Sequence, residues 1–344
     1  MSEQAQMTHE TPPPHIQLIQ MGTGYWISRI LYYTAKIGLA DLLADGPKTA
    51  EELAPKTGAH EKSLGRMMRT LSGIGVLTDE GEGRFGLTPL GEALRDGAPG
   101  AARYGILAMS GDWAWKMWEH FEHSMKTGES ASVTAHGVPA FEAIARDPQL
   151  ASHFSGAMVC FHGEEPPAVA DAYDFSQFGT IADIGGASGN LLGTILEKHP
   201  GPDGILFDLP HVVVDALALL EQKGVADRVT IESGSFFEEV PKGADAYLAS
   251  HIIHDWNEQQ CISILSNIRE GMGPESKLLL IEMVLPEGDE PHPGKILDMV
   301  MLVMPGGEER TAAQYGELLA KAGLKMTRVI PTASTVSIVE AVVA

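Results

Sequence analysis

The chain has 344 residues, 44% of them hydrophobic, which is enough apolar material for two cores. Its 46 acidic residues outnumber 24 basic ones, and the formal net charge of −22 disfavours nonspecific association with phosphate backbones or anionic membranes. With only Cys160 and Cys261, no disulfide framework or four-cysteine zinc site can be built, and a reducing, cytoplasmic compartment is expected.

The opening MSEQAQMTHETPPP, residues 1–14, lacks a basic region followed by an apolar core and reads as a disordered lead-in rather than a secretory signal. No later stretch approaches the roughly 20 uninterrupted apolar residues of a membrane-spanning helix. From His15 onward, Ile27, Ile30, Leu31, Ala35 and Leu39 recur at helical spacing. Thr49 precedes EEL with Glu52 three positions on, the pattern of a capping box, and Glu61 to Ile74 sets Leu64, Met67, Met68 and Leu71 on one face. GVLTDEGEGRFGLT then alternates around a glycine-rich turn and predicts a β-hairpin. Helix, turn, helix and hairpin within residues 15–104 resemble a winged helix. Lys62, Arg66 and Arg69 lie on its second helix, but the hairpin tip DEGEG would set like charge against phosphates, so no nucleic-acid partner is expected. A structural or dimerising module fits better, and YWISRILYYTAKIGLADLL suits a subunit interface, although a monomer core would show the same periodicity.

Residues 105–175 predict further helices rich in Trp, Met, His and Phe. Such side chains at helical spacing most often form core, while some can line a pocket. From Thr180 the texture changes to TIADIG, GILFDLP, VTIESG, AYLASH, KLLLIEMVL and a final VSIVEAVV, short β-rich runs separated by helical stretches. Residues 176–344 therefore predict an α/β domain with a mainly parallel sheet, whose ligands bind at the carboxyl ends of the strands.

TIADIGGASGN ends an apolar strand with Asp183 and supplies Gly185, Gly186 and Gly189 before the helix LLGTILEKH. Glycines let a backbone turn tightly and approach a ligand. The nicotinamide fingerprint GxGxxG fails here, because Ala187 and Asn190 stand where glycine or alanine is needed. About twenty residues later GILFDLP ends in Asp208, placed to accept hydrogen bonds from two ribose hydroxyls. A glycine loop after one strand and an acid after the next fit a nucleoside ligand, although a lone glycine turn is also an ordinary tight connection.

Asp183, the glycine loop, FDLP, GSFF at 234–237, HDW at 254–256, IEMVLP and GGEERT, in this order, resemble the small-molecule O-methyltransferases of the plant caffeic acid type and their bacterial antibiotic-pathway relatives. The resemblance spans nearly the whole chain, and the family's N-terminal winged-helix dimerisation domain matches the first hundred residues in position. It implies a Rossmann-like class I methyltransferase domain, S-adenosylmethionine as cofactor with S-adenosylhomocysteine as product, and a homodimer. On this resemblance Asp183, Gly185 and Gly186 hold the methionine portion, Asp208 with Leu209 the ribose, and Phe236 flanks the adenine. Ser235 stands where the family commonly has an acid, and Ser250 where many members have a basic residue; serine can still make one hydrogen bond at each place.

AYLASHIIHDWNEQQ places His254 just beyond a strand end. A phenol or enol becomes a competent nucleophile when its proton is withdrawn, and neutral imidazole, with a reference pKa of about 6.5, can take it near neutral pH. A histidine there can also be a structural helix cap; the HDW match to the family assigns His254 as the base. The resemblance sets Glu282 and Glu309 beside its ring, where a carboxylate accepting from Nδ1 would fix the tautomer, with Glu309 favoured. Asp255 is expected to be an N-cap or a hydrogen-bond acceptor in the cleft. His251, His254 and Asp255 could supply metal ligands. Iron-dependent relatives that methylate carbon in α-keto acids add a histidine just after the aspartate corresponding to Asp298, where this chain reads DMVML, so no metal is expected. Trp113, Met158, Phe161, His162, Met301 and Met304 are the candidate lining for a flat aromatic acceptor. The family's PhexxxMet matches residues 154–158, with the following histidine displaced by one to His162. Nitrogen or carbon methylation is the rival within enzymes, and a cofactor-binding DNA regulator the rival outside them.

Overall fold

The computed structural model describes residues 11–100 and 102–344. Most of the expected lead-in, residues 1–10, lies outside the described residues. Its last part differs from expectation, because Pro14 opens a helix over Pro14–Gly22, a position where proline's missing N–H costs nothing.

The chain folds as two compact units, one running to residue 115 and including 149–160, the other comprising 116–148 and 161–344. In the first unit the capping box forms as read: Thr49 accepts from the Glu52 amide at 3.2 Å, and the Glu52 carboxylate accepts from Thr49 N–H at 2.7 Å. The helix Glu61–Gly73 buries Leu64, Met68 and Leu71, and the hairpin β2 (Leu77–Gly81) and β3 (Arg84–Leu87) pairs with β1 (Lys48–Thr49) in the order β1-β3-β2. Leu39, Leu53, Val76 and Phe85 close this small core.

The second unit is built on a seven-stranded sheet: β4 (Thr180–Ile184), β5 (Asp203–Asp208), β6 (Val229–Ser233), β7 (Ala246–Ser250), β8 (Lys277–Glu282), β11 (Leu324–Pro331) and β12 (Ser337–Val343), in the order β11-β12-β8-β7-β4-β5-β6. Two short strands, β9 (Val284–Leu285) and β10 (Arg310–Thr311), pair beside it. β8-β7-β4-β5-β6 is parallel, whereas β12 and β11 are antiparallel additions at one edge. β11 was not among the expected strands.

Consecutive side chains of a strand point to opposite faces, and here both faces are buried. Along β4, Ile181 joins the core with Leu192, Leu196 and Leu206, while Ala182 joins the other with Ile264, Leu265 and Leu318. Each fully buried Leu or Ile contributes about 1.5–3 kcal/mol of transfer free energy. The parallel strands are thereby fixed in register, with Ile184, Asp208, Ser250 and Glu282 ending on one edge. Among the described residues no helix is long and apolar enough to cross a membrane.

Candidate active site

After β4 the chain turns at Gly185 (φ 74°) and Gly189 (φ 77°), and the helix Asn190–Lys198 starts there. Space, as well as φ, demands glycine in this loop. A Cβ on Gly185 would overlap the Ile252 side chain, and one on Gly186 would lie 2.6 Å from Asp183 Oδ2. Asp208, at the end of β5, ties the loop down: its Oδ2 accepts from Ala187 N–H at 3.0 Å and its Oδ1 from Leu209 N–H at 2.6 Å. Asp183 is buried with Oδ2 unpartnered. Burial, reinforced by the charge of Asp208, pushes its carboxyl up to about 7. A buried acid lacking a counter-charge beside a loop stripped of side chains fits a cationic amino-acid moiety with an attached nucleoside, as S-adenosylmethionine has. Phe236 lies against Gly185, edge-on to Trp256 at 6.1 Å between centroids. Ser235 Oγ accepts from Phe237 N–H at 3.3 Å and Ser250 ends β7.

Beyond β7 a short 3-10 turn, Ile253–Asp255, carries His254, which is 5% exposed. Its Nδ1 lies 2.7 Å from Glu309 Oε1 and 3.8 Å from Glu282 Oε2, so Glu309 is the hydrogen-bond partner and Glu282 the neighbour. Glu282 serves the turn instead, accepting from Ile252 N–H at 3.1 Å and Ile253 N–H at 2.8 Å. Glu309 is itself held, its N–H donating to Asp298 Oδ1 at 2.9 Å. Gly307 packs directly under the His254 carbonyl, which accepts from Glu308 N–H at 2.8 Å.

Burial lowers the His254 pKa below its ordinary value, against the pull of Asp255, so the ring is neutral at pH 7. Burial raises Glu309 to about 7, and raises Glu282 further, with the Glu309 charge added. With Glu309 ionised, the donor hydrogen of this bond sits on His254 Nδ1 and leaves Nε2 as the bare nitrogen. Asp255 Oδ1 is 3.6 Å from Nε2, and burial pushes that carboxyl up to about 6. Asp255 is not an N-cap: Asn257 caps the helix Glu258–Gly271, forming a capping box with Gln260.

Of the expected acceptor lining, Trp113 and Met158 belong to the first unit. In the second, Met301 and Met304 are buried, and the Met304 carbonyl accepts from Ser130 Oγ. Phe161 is half exposed, and His162 bonds Glu165. Glu165 was not singled out in the sequence, because its partner His251 is 86 residues away and no local pattern links them. Among the described residues, two groups of side chains bring potential ligand atoms within 4.8 Å of one another and could hold a metal: His162, Glu165 and His251, and His251, His254 and Glu282.

A parallel sheet with a glycine loop after β4, an acid closing β5 and a buried His–Glu pair past β7 defines a class I methyltransferase. An O-methyltransferase domain model matches residues 118–325 and an O-methyltransferase dimerisation domain model residues 19–96. The chain is 46% identical to a phenazine O-methyltransferase of Lysobacter antibioticus, over 94% of this chain and 95% of that one. It is 34% identical to an 8-amino-8-demethylriboflavin N,N-dimethyltransferase of Streptomyces davaonensis, over 94% of each. A solved O-methyltransferase from neocarzinostatin biosynthesis, in complex with S-adenosylmethionine and 2-hydroxy-5-methyl naphthoic acid, superposes with a TM-score of 0.82 at 33% identity, covering 92% of this chain and 96% of that one. The chain belongs to this S-adenosylmethionine-dependent O-methyltransferase family.

Proposed function

We propose that the protein transfers a methyl group from S-adenosylmethionine to a hydroxyl of an aromatic or polyketide-like small molecule, with His254 as general base. The observation that carries this reading is the buried His254–Glu309 pair at 2.7 Å, at the strand edge that also bears the glycine loop; with Glu309 ionised, the pair leaves Nε2 unprotonated. When bound, S-adenosylmethionine supplies an electrophilic methyl group on a sulfonium and leaves as S-adenosylhomocysteine. Asp183, Gly185, Gly186, Asp208, Leu209, Ser235, Phe236 and Ser250 are the residues assigned to hold it. His254 Nε2 takes the acceptor's hydroxyl proton as the oxygen attacks, and the Glu309 carboxylate stabilises the imidazolium that forms. Glu282 positions the ring by fixing the two amides that precede it.

Phe161, His162, Asp255, Met301 and Met304 are assigned to the acceptor, and an aromatic ligand in one relative and a phenazine in another relative's name support a flat molecule. A homodimer through the N-terminal helices is supported by the dimerisation-domain match and by Leu18, Ile19, Met21 and Trp26, all more than half exposed on the first two helices. The reaction as written uses no metal. Incubation with S-adenosylmethionine and a panel of phenolic acceptors, followed by mass and NMR assignment of the new methyl group, should find it on oxygen. Methylation on nitrogen, as the N,N-dimethyltransferase relative's name describes, or on carbon would contradict the reading.

A further inference from the structure

The proposed chemistry leaves the partly buried imidazole of His251 without a task. His251 follows β7 with its backbone at φ 52°, in the left-handed region that costs a non-glycine residue about 1 kcal/mol. The ring this holds in place has a geometry that repeats that of the base. His251 Nε2 lies 2.7 Å from Glu165 Oε2, the same separation as His254 Nδ1 to Glu309 Oε1, and the two rings are 5.1 Å apart between centroids. Glu165 is 5% exposed and also meets His162 Nδ1 at 3.2 Å, while the His162 and His251 rings lie 3.8 Å apart.

The protonation pattern follows from these contacts. Burial alone would raise the Glu165 carboxyl, but the hydrogen bonds from His162 and His251 outweigh it and hold it at about 2. An ionised carboxylate only accepts, so the hydrogen of the neutral His251 ring is on Nε2. Its Nδ1 is then a bare lone pair, and that atom is buried with no hydrogen-bond partner. A buried acceptor left unpaired costs about 1–3 kcal/mol, and a strained backbone beside it adds to the cost. What satisfies such an atom is a donor: a hydroxyl or an N–H.

We propose that His251 is a second recognition residue for the acceptor, its Nδ1 accepting a hydrogen bond from another hydroxyl or ring N–H near the hydroxyl that is methylated. Glu165 and His162 are its positioning residues. The inference rests on the aromatic-acceptor reading above and narrows it to aromatics with two neighbouring hydrogen-bond donors. Ethers and carboxylates in the second position offer no hydrogen and do not fit. N–H···O bonds account for the approach of His162, Glu165 and His251 without an ion between them.

The test compares 2,3-dihydroxynaphthalene with 2-naphthol in the wild-type protein and in His251→Phe and Glu165→Gln, recording kcat and KM separately alongside S-adenosylhomocysteine affinity. The wild type should favour the diol roughly 10- to 100-fold in kcat/KM, the size expected for one buried hydrogen bond. His251→Phe should lose most of that preference through a raised KM for the diol, with the 2-naphthol rate and cofactor affinity kept. Glu165→Gln should fall between the two. If the phenylalanine variant misfolds, His251→Asn replaces it, since Asn tolerates positive φ. Equal wild-type turnover of both acceptors, an unchanged ratio in the variants, or one tightly bound zinc or iron ion per chain that Glu165→Gln loses would overturn the role of His251. Turnover of neither acceptor by the wild type would instead overturn the aromatic-acceptor reading and this inference with it.

Discussion

Gly307→Ala tests how tightly His254, the proposed base, is held. Gly307 has no need of glycine for its φ; it is required because the backbone of the His254 turn lies against it. A Cβ there would overlap the His254 carbonyl oxygen and lie 2.8 Å from the His254 carbonyl carbon and 2.6 Å from that of Asp255, closer than real Cβ atoms approach. All three are backbone atoms, so no side chain can rotate away. Clearing the overlap takes about 1 Å of movement between the 254–255 turn and the segment carrying Glu309, and a misplacement of that size costs about 10²-fold in rate. The Glu308 N–H bond to the His254 carbonyl, now 2.8 Å, would break in the same movement. Steady-state methyl transfer, S-adenosylhomocysteine titration and thermal melting should show kcat down by about 10²-fold with cofactor affinity kept. Gly201→Ala, where nothing lies within 4 Å of the new Cβ, serves as the control and should leave all three unchanged. Wild-type kcat in Gly307→Ala would refute the idea that this packing sets the position of His254 for the proposed proton transfer.

Two further outcomes follow from the glycine loop after β4. Ala187 sits at φ 49°, so Ala187→Gly should raise stability by about 0.5–1 kcal/mol, read as a higher melting temperature, while the N–H bond to Asp208 persists. An unchanged or lowered melting temperature would show that the loop bears no strain at this residue. Asp183, raised to about 7, is neutral below that pH and ionised above it. Affinity for S-adenosylhomocysteine, whose ammonium is the cation proposed to meet it, should therefore strengthen from pH 6 to pH 8, by at most about tenfold per unit. Asp183→Asn should flatten that dependence; an equally steep one in the variant would assign the titration elsewhere.

The parts of the site that sequence made visible are those that end uninterrupted apolar strands. TIADI, GILFD, AYLAS and KLLLIE are buried on both faces, so their last residues, Ile184, Asp208, Ser250 and Glu282, mark one edge, and the loops carrying Gly185 and His254 follow from it. β11 was missed because LKMTRVIP carries Lys325 and Arg328: it is the edge strand, paired on one side, and its residues reach solvent at most positions. The cap of the helix after His254 was ambiguous for a local reason. Asp255 and Asn257 both have an acid or amide three residues on, Glu258 and Gln260, and the structure uses the second frame. Glu165 had no signal at all, since its role depends on a contact with His251 that only the tertiary fold creates.

The most direct measurement is methyl transfer by His254→Ala and His254→Gln across pH 6 to 9, with S-adenosylhomocysteine affinity determined in parallel. Because His254 is held below its ordinary pKa while Glu309 is raised to about 7, the wild-type rate should be level above about pH 8, where the Glu309 carboxylate is ionised, and fall as pH drops through 7. Both variants should lose roughly 10²- to 10⁴-fold in kcat while binding the cofactor normally, and their residual rate should climb with pH as the acceptor's own hydroxyl ionises. Wild-type turnover in either variant, with the same level profile, would contradict His254 as the general base.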